Sequence, residues 1–173
     1  MLAAVLASPP TTTGTRTRNK TEAALQVTGN DRLIIANLFQ PPAANLPSLT
    51  QDGRDPDGWL AARPALERAL DDADELLIGW GLDRLTGPAR HHRAAQIQWV
   101  LETADQHGYT HAWTVGGEPR HPSRWHQYVA DKYDRAGHGT FVERLGRVLV
   151  RVPLPELGPS HRTRIGRAVC LAD

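Results

Sequence analysis

The chain has one cysteine, Cys170, in 173 residues. A single thiol forms no internal disulfide and no cysteine metal cluster, and it agrees with a reducing, cytoplasmic setting. Long apolar runs are also missing, and none is long enough to cross a bilayer. The opening MLAAVLASPP has a short apolar run with no Lys or Arg ahead of it, so it lacks both the charged and the full apolar part of a secretory leader. Met1 lies almost inside that run, which leaves open a start further upstream. Excess charge of one sign is absent too. Twenty Lys and Arg face nineteen Asp and Glu, a net of +1, with a pI near 8.0. That balance excludes a strongly basic nucleic-acid arm and leaves room for a local basic patch. Residues 1–21 contain no Asp or Glu, so no carboxylate base comes from the first segment.

What is present is globular. Hydrophobic residues make up 40% of a chain long enough for one domain and one core. Four apolar runs stand out: Leu2–Ala7, Arg32–Leu38, Glu75–Gly81 and His111–Gly117. They are near-continuous rather than alternating, as in strands buried on both faces of a parallel sheet. Helical stretches fall between them. NKTEAALQV ends at Gly29, a C-terminal helix glycine. GWLAARPALERALDDA carries Leu66, Ala69 and Leu70 at helical spacing, with Pro64 marking a first turn or a kink. The next places Ile97, Val100, Leu101 and Ala104 on one stripe and ends at Gly108. The last places Trp125, Tyr128, Val129 and Tyr133 on another. Strand alternating with helix predicts an α/β three-layer sandwich around a four-stranded, mostly parallel sheet. Residues 1–138 form this domain, and 139–173 are an extension with one possible edge strand, RVLVRVP, and a basic, proline-containing tail. Pro153 and Pro155 end that strand and keep it from a central position.

In open α/β sheets ligands bind beyond the carboxyl ends of the strands. Four segments should therefore meet there: SPPTTTGTRTRN, NLFQPPAANLP, GWG and GGEPRHPSRW. His121 precedes Pro122, which biases it to an extended backbone, and Ser123 can cap the helix that follows. The segment reads either as a capped turn or as an imidazole held at a helix start, where it can donate to a developing anion. Asn37 is a turn residue or a carboxamide able to read a base edge. Phe39 is core or a stacking platform. Arg16, Arg18 and Lys20 are a solvated charge cluster or a phosphate clamp. The HHR stretch at 91–93 reads as a solvated helix face, and its adjacent histidines point in different directions, so they do not chelate one metal. Trp59, Trp80, Trp113 and Trp125 read as core.

The order of these motifs resembles the uracil-DNA glycosylase superfamily. The matching stretches are VLASPPTTTGTRTRNKT, IIANLFQPPAANLP and EPRHPSRW. An uncharacterised bacterial family of the same pattern is closer in layout, with a first motif like LNPSTAD, a second like VNLF and a late RHP. Its counterparts here are LASPPTTT, IANLF, LLIGWG and PRHPS, and the likeness spans about residues 2–130. The resemblance implies strand order 2-1-3-4 and a nucleobase N-glycosidase-like hydrolase acting on a base in nucleic acid or a nucleoside. Asn37 and Phe39 would hold the base, with Pro9 and Ser123 beside it. His121 would stabilise the leaving base, and Ser8, Asn19 or Glu22 would orient water. Arg16, Arg18, Lys20, Arg120 and Arg124 would bind phosphates. No cofactor or metal is implied. Ser8 stands where such glycosylases carry Asp, Asn or Glu, and Arg124 where they carry Pro before a DNA-penetrating loop. These departures favour an alternative: a catalytically inactive module of the same fold that binds a base, nucleotide or nucleic acid. A third reading is a partner-association domain.

Overall fold

The computed structural model describes residues 1–82, 84–130 and 136–158. Tyr133, Cys170 and the basic tail lie outside the described residues. The expected alternation is present. Strands β1 (Leu2–Leu6), β2 (Leu33–Asn37), β3 (Glu75–Gly79), β4 (His111–Val115) and β5 (Leu149–Pro153) form one sheet in order β2-β1-β3-β4-β5. The first four run parallel, and β5 is antiparallel to β4.

The sheet is thus five-stranded and mixed, which corrects the expected four-stranded, mostly parallel one. The physical reason lies in how the chain enters β5. Helix α7 (Phe141–Val148) delivers it to the carboxyl end of β4, where the Gly116 amide donates to the Val148 carbonyl at 2.7 Å, and it runs back from there. Pro153, paired in register with His111, closes this edge strand, where a missing N–H costs no inner ladder bond.

The near-continuous runs are explained by helices on both faces. Alternate residues of β1 point to opposite sides. Ala3 and Val5 pack with α3 (Asp57–Leu60), α4 (Arg63–Asp72) and α5 (Gly87–Gln106) through Trp59, Leu66, Leu70 and Val100. Leu2 and Ala4 pack with α1 (Thr15–Thr28), α6 (His126–Val129) and α7 through Ala24, Val129 and Leu145. Leu145 and Leu149 lie in the same core as β1, so this part of the extension is integral to the sheet. Pro64 sits in the first turn of α4. The helix expected after Ser123 is shorter than its pattern: a 3₁₀ turn, Pro122–Arg124, leads into α6, and Ala130 is already extended. Helix α2 (Leu46–Asp52) was not expected, and Asn45 and Ser48 close a reciprocal cap at its start.

Tyr109, between α5 and β4, ties the layers together. Its hydroxyl sits between the carbonyls of Leu70, at 2.9 Å, and Ala73. Burial, with the nearby Asp74 and Asp71 carboxylates, pushes its phenol up to about 12. The unfolded chain releases this proton near the ordinary tyrosine value of about 10, whereas the folded chain keeps it. Tyr109 therefore contributes stability that is present below that value and lost as pH rises towards 12. Urea denaturation across this alkaline range is expected to show the decline in the parent and a flatter profile in Tyr109→Phe. Equal slopes would show that Tyr109 does not govern the alkaline limb.

Candidate functional site

A cleft of about 1090 Å³ opens at the carboxyl ends of the parallel strands. Strands β2 and β3 flank β1, so the chain leaves β1 first to one side and then to the other. That reversal splays the loops after β1 and β3 and creates the crevice. Ser8 enters it from the loop after β1, Asn37 from the end of β2, Trp80 and Gly81 from the loop after β3, and His121, Ser123 and Arg124 from the segment after β4. The threonine-rich stretch Thr11–Thr13 and the α1 face bearing Thr17, Arg18 and Glu22 complete one wall. Gly14 starts α1 with φ of 66°, and a Cβ there would lie 2.6 Å from the Pro10 ring. The tight turn therefore requires glycine.

The His-Pro-Ser turn is held from several sides. Trp125, fully buried, donates its indole N–H to the Arg120 carbonyl at 2.8 Å. The Gly81 amide donates to the Pro119 carbonyl at 2.7 Å. Pro122 lies over Gly79 at the end of β3, where a Cβ would meet the Pro122 ring at 3.3 Å and the Leu6 side chain at 3.0 Å. His121 is extended, and its Nδ1 accepts the Ser123 backbone N–H at 3.2 Å, with the Ser123 hydroxyl at 2.9 Å. A nitrogen that accepts an amide hydrogen carries no proton of its own. In the neutral ring the hydrogen is then on Nε2. The capped turn and the held imidazole are thus one arrangement.

Ser8, Asn37, His121, Ser123, Glu22, Arg18 and Arg124 share the cleft. Other expected residues do not line it. Phe39 is 1% exposed and packs on Trp59 with ring centroids 4.9 Å apart, because α3 docks against the segment after β2 and covers it. Pro9 contributes its carbonyl, which accepts the Ala43 amide at 3.1 Å and ties the loops after β1 and β2. Asn19 and Arg16 are exposed on other faces of α1, since residues on the cleft face follow the spacing of Gly14, Arg18 and Glu22. Arg120 is turned to Glu118 and stacks 4.2 Å from the Tyr128 ring centre. Lys20 reaches the Pro122 carbonyl at 2.8 Å. Burial, with Arg16 nearby, lowers its affinity for a proton. Of the expected phosphate clamp, Arg18 and Arg124 remain at the cleft. Glu22 accepts from Arg18 Nε at 3.1 Å in an exposed i,i+4 pair.

Arg93, whose HHR stretch reads as a solvated helix face, and Trp80, which reads as core, both line the cleft. The guanidinium of Arg93 donates to the carbonyls of Trp80, at 2.9 Å, and Gly81, at 2.7 Å, and lines the cleft. It is half-buried, not on a solvated face. A signal for it existed: a crossover helix begins at the carboxyl rim of the sheet, so a cation in its second turn lies near the site. Trp80 lines the cleft while 2% exposed. Among the described residues, no group of three or more His, Cys, Asp or Glu side chains could hold a metal ion, and no helix is long and apolar enough to cross a membrane.

No curated protein and no solved structure matches the chain. One family does, described as "Protein of unknown function (DUF1643)", over residues 4–123. That span runs from β1 to Ser123 and includes each cleft residue named here except Arg124. By this match over most of its length, the chain belongs to the DUF1643 family.

Proposed function

We propose that the cleft receives a nucleobase and that the protein is a nucleobase N-glycosidase-like hydrolase with a uracil-DNA glycosylase-like arrangement of its parallel strands. The observation that carries this reading is the fixed His121 ring. Its Nδ1 is occupied by the Ser123 amide, so Nε2–H is the donor. It lines the same cleft as the carboxamide of Asn37, which has no hydrogen-bond partner among the described residues. Asn37 can accept from and donate to a base edge. Trp80, rather than Phe39, is the aromatic residue at the cleft lining, where its buried ring forms part of the floor.

In the reaction a water oxygen bonds to the sugar C1′ and the C1′–N bond breaks. Its electron pair leaves on the base, and the proton lost from water goes to solvent or to the departing base. Nε2–H of His121 stabilises the anion as it forms, the role of a preorganised donor at developing charge. On this reading Ser8 or Glu22, both at the cleft, orients the water, and neither the Ser8 hydroxyl nor the Arg18-paired Glu22 needs to act as a base if bond breaking runs ahead of attack. Where the base belongs to DNA, the nucleotide must be turned out of the stack to reach Asn37.

The second reading, a binding module of the same fold, is favoured by one observation: Ser8 is at the first-motif position and Glu22 is the only acid among the described cleft residues. One experiment separates the two. Oligonucleotides containing deoxyuridine, xanthine or hypoxanthine, single- and double-stranded, are incubated with the protein and assayed for abasic sites. Base release supports the hydrolase. Binding without release supports the module, and neither outcome with any base would sink both. Contact through Arg18 and Arg124 also implies affinity that falls with salt.

A further inference from the structure

Lys20 is the one cation expected at phosphate that instead contacts the backbone of the His-Pro-Ser turn. The carbonyl that it holds belongs to Pro122, and the N–H of that same peptide unit is the Ser123 amide. This amide donates to His121 Nδ1. The ammonium, one peptide group and the imidazole are therefore joined in sequence: Nζ–H to O=C at 2.8 Å, then N–H to Nδ1 at 3.2 Å. Residues 102 apart in the chain meet at this point.

We infer that Lys20 is a positioning residue for His121, acting through the Pro122–Ser123 peptide to fix the tautomer of the ring and strengthen Nε2–H as a donor. The physical cause is polarisation. A cation on the carbonyl draws electron density across the planar amide and makes its N–H a better donor. Hydrogen bonds in series reinforce one another. The Ser123 amide, so strengthened, acts with the Ser123 hydroxyl, 2.9 Å from the same nitrogen, to hold the proton off Nδ1 and leave it on Nε2. The role is also geometric. Lys20 is on α1, whose Thr17 and Arg18 form a cleft wall, so the contact sets the distance between that wall and the imidazole.

The catalytic half of this inference rests on the proposed reading of His121, but its test does not need activity. Nitrogen-15 NMR of the ring and of the Ser123 amide reads the relay directly in the full-length protein. In the parent, His121 is expected as the Nε2–H tautomer with Nδ1 hydrogen-bonded. In Lys20→Met the Ser123 amide proton should move upfield, and Nδ1 should move towards the value of a free acceptor nitrogen. Lys20→Arg, which keeps a charged donor, should restore both resonances. Lys20→Gln, an uncharged donor, should fall between and serves if Lys20→Met does not fold. An Nδ1–H tautomer in the parent overturns the inference, as does a folded Lys20 variant with both resonances unmoved, in which case the lysine is only a strut. If the protein releases a base, Lys20→Met should lower kcat about tenfold with KM unchanged, corresponding to about 1.4 kcal/mol of transition-state stabilisation. Failure of base release with the NMR response intact would count against the glycosidase reading and leave the relay standing.

Discussion

Replacing Trp125 with alanine is expected to lower the unfolding free energy by about 3–5 kcal/mol, the range for removing a large buried aromatic side chain. Trp125 is fully buried among Leu77, Val115 and Leu145, in the core between the sheet and α1, α6 and α7. The indole also donates to the Arg120 carbonyl. Its removal leaves a cavity and an acceptor without its donor, and the second loss adds about 1 kcal/mol. Trp125→Phe keeps most of the volume and loses the N–H, so it should cost much less than the alanine variant. Urea denaturation of the three proteins measures both differences. A loss below about 1 kcal/mol in Trp125→Ala would mean that the loop is not anchored by this side chain.

The second large effect is on chemistry. On the proposed glycosidase reading, His121→Ala is expected to reduce base release about 10²–10³-fold, the usual consequence of deleting one preorganised donor to developing charge. Its effect on folding should be small, because the lost bond caps only a three-residue turn that Trp125 and Gly79 still hold. His92, on α5 and away from the cleft, is the control, and His92→Ala should retain parent activity. Melting temperatures for all three proteins separate a loss of chemistry from a loss of fold. Parent-like rates in His121→Ala would reduce the His-Pro-Ser segment to a capped turn.

The strands were legible because burial on both faces removes polar residues from them, and four such runs stand in the sequence. Strand β5 was half legible. Its prolines announced an edge, but a run with two arginines gave no sign that the sheet was incomplete without it. Helix α2 has only seven residues, too few for a periodic stripe, although Asn45, Pro47 and Ser48 form a start signal. The site divided along another line. Residues placed by strand ends, Ser8, Asn37 and His121, fell where the topology puts them. Side chains whose direction depends on a neighbour from elsewhere in the chain did not. Phe39 turns inward because Trp59 arrives beside it. Lys20 and Arg120 look like phosphate ligands in a sequence, since a cation count cannot tell a phosphate from the Pro122 carbonyl or the Glu118 carboxylate. Arg93 was lost in a polar helix turn because periodicity does not show which loop carbonyls that turn will face.

The distribution of the cleft along the chain has a consequence for how the protein is made. Ser8 precedes β2, and His121, Ser123 and Arg124 follow β4, so the two ends of the cleft are separated by most of the polypeptide. On the ribosome, β1 and β2 can pair soon after they emerge, while the His-Pro-Ser turn arrives only after β3, α5 and β4. Such long-range closure slows folding relative to local contacts. The cleft is therefore completed late, and among the described strands and α-helices only α6, α7 and β5 follow it. A chain stopped before residue 125 lacks the Trp125 anchor as well as α7 and β5, so it carries the whole DUF1643 match without the elements that hold the His-Pro-Ser turn in place.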